Sequence, residues 1–120
     1  MPILKLGAHS NTASEKLDDW GTVGLPLSEP ACRLRGSKIV APIANAPEIG
    51  VWECSPGRYR REIRSAETMH VLSGDATFTP DGGEPVALGA GDLYFFPPDT
   101  MGVWDIKNTL RKAYVLFKGG

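Results

Sequence analysis

The residues best suited to chemistry lie between positions 57 and 74, in the segment GRYRREIRSAETMHVLSG. This segment carries a string of arginines and then one acid, Glu67. The arginines are Arg58, Arg60, Arg61 and Arg64. A carboxylate beside guanidinium groups can exchange a proton, ligate a metal ion or anchor a polar group of a small molecule. The strands and turns around this segment determine which of these three roles Glu67 and the arginines can have.

From residue 49 onward the pattern is typical of short strands separated by turns. The run Pro80-Asp81-Gly82-Gly83 indicates a hairpin, because Asp-Gly and Gly-Gly accept positive φ angles. Regularly spaced short strands predict an all-β antiparallel sandwich or small barrel. The predicted strands cover residues 50–54, 59–63, 67–72, 75–79, 85–88, 93–96, 102–106 and 112–117, with a loop at 107–109.

Residues 1–45 are less regular and are interrupted by prolines, which rules out long elements. Residues 14–20 are compatible with a turn or two of helix capped by Ser14, and ACRLRGSKIVAP predicts one or two short edge strands. We therefore expect a single domain, in which an irregular arm, residues 1–45, packs on a barrel of residues 46–120 or on a partner.

Composition narrows the class of protein. The chain has 120 residues, enough for one domain with its own core, and a formal net charge of −1. It therefore has no overall basic field for nucleic acid or an anionic membrane. No apolar run in the sequence is long enough for a membrane span or a signal peptide, so we expect a cytoplasmic protein. In that compartment Cys32 and Cys54 are expected to be reduced, structural thiols.

Two spacings carry a family resemblance. Glu67 and Gly74 fit the E-x6-G end of one motif, and Gly91 and Pro97 fit the G-x5-P start of another. With the details SPG, AGD, Trp104 and RKAY, residues 49–118 resemble a cupin of the ureidoglycine-aminohydrolase-like subfamily, which includes small stand-alone proteins of unknown function and an ethanolamine-utilisation relative. The resemblance implies an RmlC-like double-stranded β-helix, or jelly-roll, barrel and a homodimer.

The family's metal-binding motif is incomplete in this chain. Its three histidines and one glutamate fall at Arg61, Ile63, Glu67 and Gly102, so only Glu67 keeps a ligand. His70 does not substitute, because alternate strand residues point to opposite faces, and His9 lies in the arm. One carboxylate does not make a transition-metal site. We therefore expect no tightly bound cofactor, and a divalent metal is disfavoured.

Two arrangements remain open for Glu67, the candidate catalytic residue. In the first, Arg61 occupies a lost histidine position and forms an ion pair with Glu67, which would anchor a ligand's carboxylate, amide or hydroxyl. In the second, Arg61 turns to solvent and Glu67 bonds to a backbone amide or a tyrosine.

Further large side chains on the predicted strands either line a ligand pocket with Arg61 and Glu67 or fill the core. The pocket candidates are Met69, Tyr94, Trp104 and Tyr114. We expect Trp104 to face the pocket, because it shares the face of position 102. Lys112 is interpreted as a surface lysine, with a charge at the barrel mouth as the alternative.

The remaining arginines, Arg58, Arg60 and Arg64, favour a subunit interface or intramolecular ion pairs over nucleic acid, because acids lie close by. Three functions stay open. They are a metal-free protein that binds a small polar metabolite, a metal-dependent enzyme similar to ureidoglycine aminohydrolase, and a non-catalytic dimeric structural or sensing module.

Overall fold

The structure is a computed structural model that describes residues 3–6 and 17–118. Within residues 17–118 the regular elements are all strands, and every pairing between them is antiparallel. The strands are β1 (Asp18–Thr22), β2 (Arg33–Val40), β3 (Glu48–Cys54), β4 (Gly57–Ile63), β5 (Glu67–Pro80), β6 (Val86–Gly89), β7 (Leu93–Phe96) and β8 (Thr100–Leu116). The predicted all-β fold is confirmed. The described residues form no helix of the length and apolarity needed to span a membrane.

Two long strands hold the barrel together. β5 and β8 pair along most of their lengths, and each also pairs with different neighbours at its two ends. Residues 110–116 of β8 pair with β3, while residues 100–106 pair with β4. In the same way, the first part of β5 pairs with β7 and the second part with β6. The same two strands therefore run through both layers of a jelly roll.

The continuity of β5 and β8 corrects the predicted element bounds. Residues 67–72 and 75–79 belong to one strand, and the predicted loop at 107–109 lies inside β8. The pairing passes through register shifts between Val71 and Ala76, with Gly74 at a φ of +87°. Bulges of this kind bend a strand without ending it, which is why the turn-like residues did not terminate either strand.

The segment predicted as an arm supplies two strands of the sheet. β2 confirms a strand within ACRLRGSKIVAP, but it lies between two neighbours rather than at an edge. β1 pairs with β2, and β2 pairs with β3 over its whole length. The expected helix at residues 14–20 is wrong from Asp18 onward, where β1 begins, and residues 14–16 lie outside the described residues. On the face of the sheet opposite Lys112, Arg35, Glu53 and Arg111 form a cross-strand row, with Arg111 Nη2 2.7 Å and Arg35 Nη1 3.6 Å from Glu53 carboxylate oxygens. This row ties β2 to the barrel.

An aromatic cluster fills the centre of the barrel. Phe78 meets Phe96 and Trp104 edge-on, with ring centroids 5.1 and 5.0 Å apart. Trp104 also lies 6.1 Å from Trp52, and it is only 1% exposed. Each such pair stabilises a core by about 0.5–1.5 kcal/mol beyond simple burial.

The two cysteines are buried free thiols in the same core. Burial raises the pKa of both Cys32 and Cys54, so both stay protonated at neutral pH. This matches the interpretation of two structural thiols.

We predict that Gly74→Ala destabilises the protein by at least about 2 kcal/mol. A β carbon at position 74 would clash with the backbone carbonyl of Thr109, and an L side chain is strained at this φ. Urea unfolding measures the effect. Gly24→Ala is the matched control, because the space around Gly24 is open. Equal midpoints for the two variants would show that the bulge tolerates a side chain.

Candidate functional site

One mouth of the barrel opens into a cavity of about 510 Å³, called the barrel cavity below. Its walls come from β3, β4, β8 and the first residue of β5, together with residues of β1, β2 and the segment after β1. Its volume lies within the usual range for small-molecule sites. The polar and aromatic residues discussed below as lining this cavity are Trp20, Glu48, Trp52, Arg61, Glu67, Trp104, Lys112 and Tyr114.

A buried ion pair lies in the wall of the barrel cavity. Lys112 Nζ donates a hydrogen bond to Glu67 Oε2 at 2.8 Å, and both side chains are only 7% exposed. Strand alternation explains the placement. Leu110, Lys112 and Tyr114 share the inner face of β8, and Glu67 begins β5 on its inner face together with Met69. The two charges neutralise each other where little water reaches them.

Aromatic rings surround the ammonium group of Lys112. Nζ lies 4.5 Å from the ring centroid of Trp52, 5.6 Å from that of Trp104 and 6.0 Å from that of Tyr114. The sulfur of Met69 approaches Nζ at 3.7 Å. Cation–π contacts of this kind help to offset the desolvation of a buried cation.

The electrostatics of the barrel cavity are set mainly by burial. Burial lowers the pKa of Lys112 from its ordinary value, and the charge of Arg61 acts in the same direction, while Glu67 opposes the shift. Burial also raises the pKa of Tyr114, and the hydrogen bond from its hydroxyl to Glu48 Oε2, 2.6 Å long, adds to that shift. Tyr114 is therefore a neutral phenol at physiological pH.

Of the two arrangements left open for Glu67, the Arg61–Glu67 ion pair is not formed. Arg61 turns to solvent, as in the second arrangement, but Glu67 bonds to Lys112 rather than to a backbone amide or a tyrosine. Arg61 does lie on the inner face of β4 with Tyr59 and Ile63, and it lines the barrel cavity as strand parity predicts. Its guanidinium, however, is exposed and donates to the backbone carbonyl of Glu62 at 2.9 Å. Glu67 takes Lys112 as its partner because Lys112 is buried with it, whereas the long Arg61 side chain reaches the mouth of the cavity.

The other predicted pocket residues are only partly brought together. Trp104 and Tyr114 line the barrel cavity beside Glu67. Met69 is fully buried beneath the ion pair and supports it from the core. Tyr94 is not brought to the cavity, because its hydroxyl lies 2.9 Å from both the Ala87 carbonyl and the Asp92 carboxylate beside β6.

Sequence reasoning missed Glu48 as a residue of the site and named Lys112 only as the alternative, a charge at the barrel mouth. The interpretation of Lys112 as a surface lysine is wrong, since it is 5% exposed. The alternation of side chains along the strand could have predicted this position of Lys112, because it places Lys112 and Tyr114 on the same face. Trp20 and Leu34 were also missed, since they come from the segment that the sequence assigned to the arm.

The residues at the four metal-ligand positions of the cupin motif, 61, 63, 67 and 102, do not fit a transition-metal ion. Positions 61 and 63 offer a guanidinium and an alkyl group, and Glu67 is already bonded to Lys112. A β carbon on Gly102 would lie 2.8 Å from Cζ of Phe78 and would also collide with the Thr79 carbonyl. The aromatic cluster therefore occupies the space from which the second-motif histidine would project. Among residues 3–6 and 17–118, no group of three or more His, Cys, Asp or Glu side chains converges.

Two of the remaining arginines, Arg60 and Arg64, form intramolecular ion pairs. Arg60 Nη1 donates to Asp81 Oδ1 at 3.0 Å, and Arg64 lies 3.5 Å from Glu62 and 4.0 Å from Asp99. This is one of the two alternatives that the sequence left open for these residues.

Comparison with known sequences identifies the family. Residues 45–114, more than half of the chain, match the EutQ-like cupin domain. The chain belongs to this cupin family. No curated protein matches it.

Solved structures share the fold of this cupin. A protein of unknown function of the DUF861 family from Pseudomonas syringae aligns over 83% of this cupin with a TM-score of 0.74 and 21% identity. A DUF861 protein from Thermotoga maritima aligns over 56% at 28% identity and a TM-score of 0.55, covering 76% of that chain. The EutQ protein of Clostridium difficile aligns over 79% of this cupin and 80% of its own chain, at 18% identity and a TM-score of 0.65. This cupin spans only 43% of the Pseudomonas protein.

We predict strong coupling between Lys112 and Glu67. Glu67→Gln and Lys112→Met should each lower the free energy of unfolding by about 3–5 kcal/mol, because each leaves a buried group without its partner. The double variant should lose much less than the sum of the two. Urea unfolding of the four proteins measures the coupling.

Lys107→Met is the matched control for this cycle. Lys107 is bonded to Asp105 at 2.9 Å but is 55% exposed, and its loss should leave stability close to that of the wild type. Additive losses for Lys112 and Glu67 would contradict the coupling.

Proposed function

We propose that this cupin binds a small organic anion in the barrel cavity without a metal ion. Arg61 would hold the negative charge of the ligand, and the Lys112–Glu67 pair would give a fixed polar anchor beside it. In this proposal Glu67 exchanges protons with Lys112 and the ligand, which keeps it as the candidate catalytic residue.

The observation that carries the proposal is an imbalance of charge around the barrel cavity. Among the described residues, four cationic and three anionic side chains line it. Arg60, Arg64 and Lys112 each pair with a carboxylate. No ion pair among residues 3–6 and 17–118 includes Arg61, which bonds to a carbonyl instead. A guanidinium at a cavity mouth favours a carboxylate or phosphate ligand.

The shape of the barrel cavity supports the same proposal. Trp52 and Trp104 give apolar walls, while Tyr114 and the ion pair supply a few placed polar groups. Small-molecule sites are built in this way, with mostly apolar walls and few polar contacts that fix orientation.

Binding of anions is testable by thermal unfolding. We expect acetate, propionate and succinate to raise the melting temperature of the wild type, because a ligand that binds only the folded state stabilises it. The matched neutral amides should have little effect. Arg61→Gln should abolish the carboxylate effect.

Arg58→Gln, a change on the outer face of the same strand, should retain the shift. Equal shifts with acids and amides, or an Arg61→Gln variant that responds like the wild type, would refute the proposal.

Metal content is a separate prediction. Elemental analysis of protein purified without a histidine tag or chelator should give far less than one manganese, iron, nickel or zinc ion per chain, because the donors at positions 61, 63, 67 and 102 do not form a site. One tightly bound ion per chain, lost in Glu67→Gln, would instead support the metal-dependent alternative.

Two finer expectations remain predictions. Membership of the ureidoglycine-aminohydrolase-like subfamily rests on the sequence details SPG, AGD, Trp104 and RKAY. A metal-dependent activity similar to that of ureidoglycine aminohydrolase would need a metal site, which the residues at positions 61, 63, 67 and 102 do not form. The homodimer remains a prediction that light scattering would test. Leu93 and Phe95 are 71% and 60% exposed on β7. They are candidate contacts between the subunits of this dimer, also if the protein is the non-catalytic structural or sensing module.

A further inference from the structure

The barrel cavity contains a primary amine held beside a proton acceptor. Lys112 Nζ lies 2.8 Å from Glu67 Oε2, and both groups belong to the cavity wall. A surface lysine is protonated and hydrated and therefore reacts slowly. A buried lysine beside a carboxylate can pass its proton across one hydrogen bond and become a nucleophile.

The surroundings of Lys112 favour that proton transfer. Burial, the largest influence, lowers the pKa of the Lys112 amine and the positive charge of Arg61 adds to that shift, although the Glu67 carboxylate works against it. The transfer to Glu67 replaces two buried charges by two neutral groups that still share a hydrogen bond. The free amine therefore needs no external base.

We propose that Lys112 forms an imine with oxo acids, carbonyl compounds that also carry a carboxylate. This inference rests on the proposed function, since Arg61 would hold the carboxylate while Lys112 attacks the carbonyl carbon. It assigns a ligand class and a covalent step to the same cavity.

The step balances without a further reactant. Glu67 takes a proton from the Lys112 ammonium, and the nitrogen lone pair forms a bond to the carbonyl carbon as the C=O π electrons move to oxygen. A proton then passes from nitrogen to that oxygen, which gives a carbinolamine. Glu67 returns its proton to the hydroxyl, water leaves with the C–O bonding electrons, and the nitrogen lone pair forms the C=N bond of a protonated imine.

The product preserves the electrostatics of the pair. The positive ammonium is replaced by a positive iminium beside the same Glu67 carboxylate, so no unpaired charge is created in the core. The rings of Trp52 and Trp104 lie against the Lys112 ammonium and would lie beside the iminium nitrogen as well. They also limit the access of water, which slows hydrolysis of the imine.

Reductive trapping tests the inference on the full chain. The wild type is incubated with pyruvate and sodium cyanoborohydride, and its intact mass and peptide map are recorded. We expect one reduced pyruvyl adduct per chain, located on Lys112. Peptide mapping assigns the site in the wild type itself, so the result does not depend on whether a Lys112 variant folds.

Matched variants sharpen the result. Lys112→Arg keeps a cation beside Glu67 but has no primary amine, and it should lose the adduct. Lys107→Arg removes an exposed lysine and should keep it. Arg61→Gln should lower the rate of trapping with pyruvate by about tenfold or more, because a charge-assisted hydrogen bond is lost. Its rate with butanone, which carries no carboxylate, should be unchanged.

The outcomes separate the two proposals. Label spread over exposed lysines, an adduct that survives in Lys112→Arg, or no adduct at all would overturn imine formation. If carboxylates still stabilise the protein through Arg61, the proposed anion binding stands while imine formation fails. If carboxylates give no stabilisation and pyruvate gives no adduct, both fail.

Discussion

The buried ion pair between Lys112 and Glu67 is the constraint on which the rest of the site depends. Removing an ammonium and a carboxylate from water costs several kcal/mol per ion, and only close contact and further partners compensate for it. The 2.8 Å hydrogen bond, the Trp52 and Trp104 rings and the Met69 sulfur supply that compensation. Because these groups must keep their positions to do so, the pair fixes the inner walls of the barrel cavity.

The ion pair also gives this cupin barrel a polar centre where the histidines of the motif are absent. Glu67 occupies a ligand position of the family motif, but its partner is an ammonium group from a different strand. Phe78 fills the space beside Gly102, so the strand there has no room for a side chain. The same fold thus holds a different set of polar groups at the same place, in line with the general rule that function resides in sites rather than folds.

The N-terminal strands contribute to the site as well as to the fold. β1, β2 and the residues between them carry Trp20, Val23, Leu25 and Leu34 to the barrel cavity. β2 is held by its full pairing with β3 and by the row of Arg35, Glu53 and Arg111. The wall of the barrel cavity is therefore complete only with the N-terminal segment, which the sequence analysis described as an irregular arm.

The sequence alone determined the fold class and the inner face of the barrel. Turn residues and period-two alternation predicted an antiparallel barrel, and they placed Ile63, Glu67 and Met69 inward and His70 outward, as observed. Strand alternation is a local property of the backbone, which is why it can be read without a structure. The same reasoning singled out Glu67 as the acid of the site.

Only the tertiary structure decided which cation meets Glu67. Lys112 is 45 residues away in the chain, and the register between β5 and β8 depends on the bulges around Gly74, which no local pattern specifies. The direction of the Arg61 guanidinium was equally undetermined, because a long side chain on an inward face can still reach solvent. The continuity of β5 and β8 through turn-like residues was decided in the same way, since cross-strand pairing overrode local turn preference.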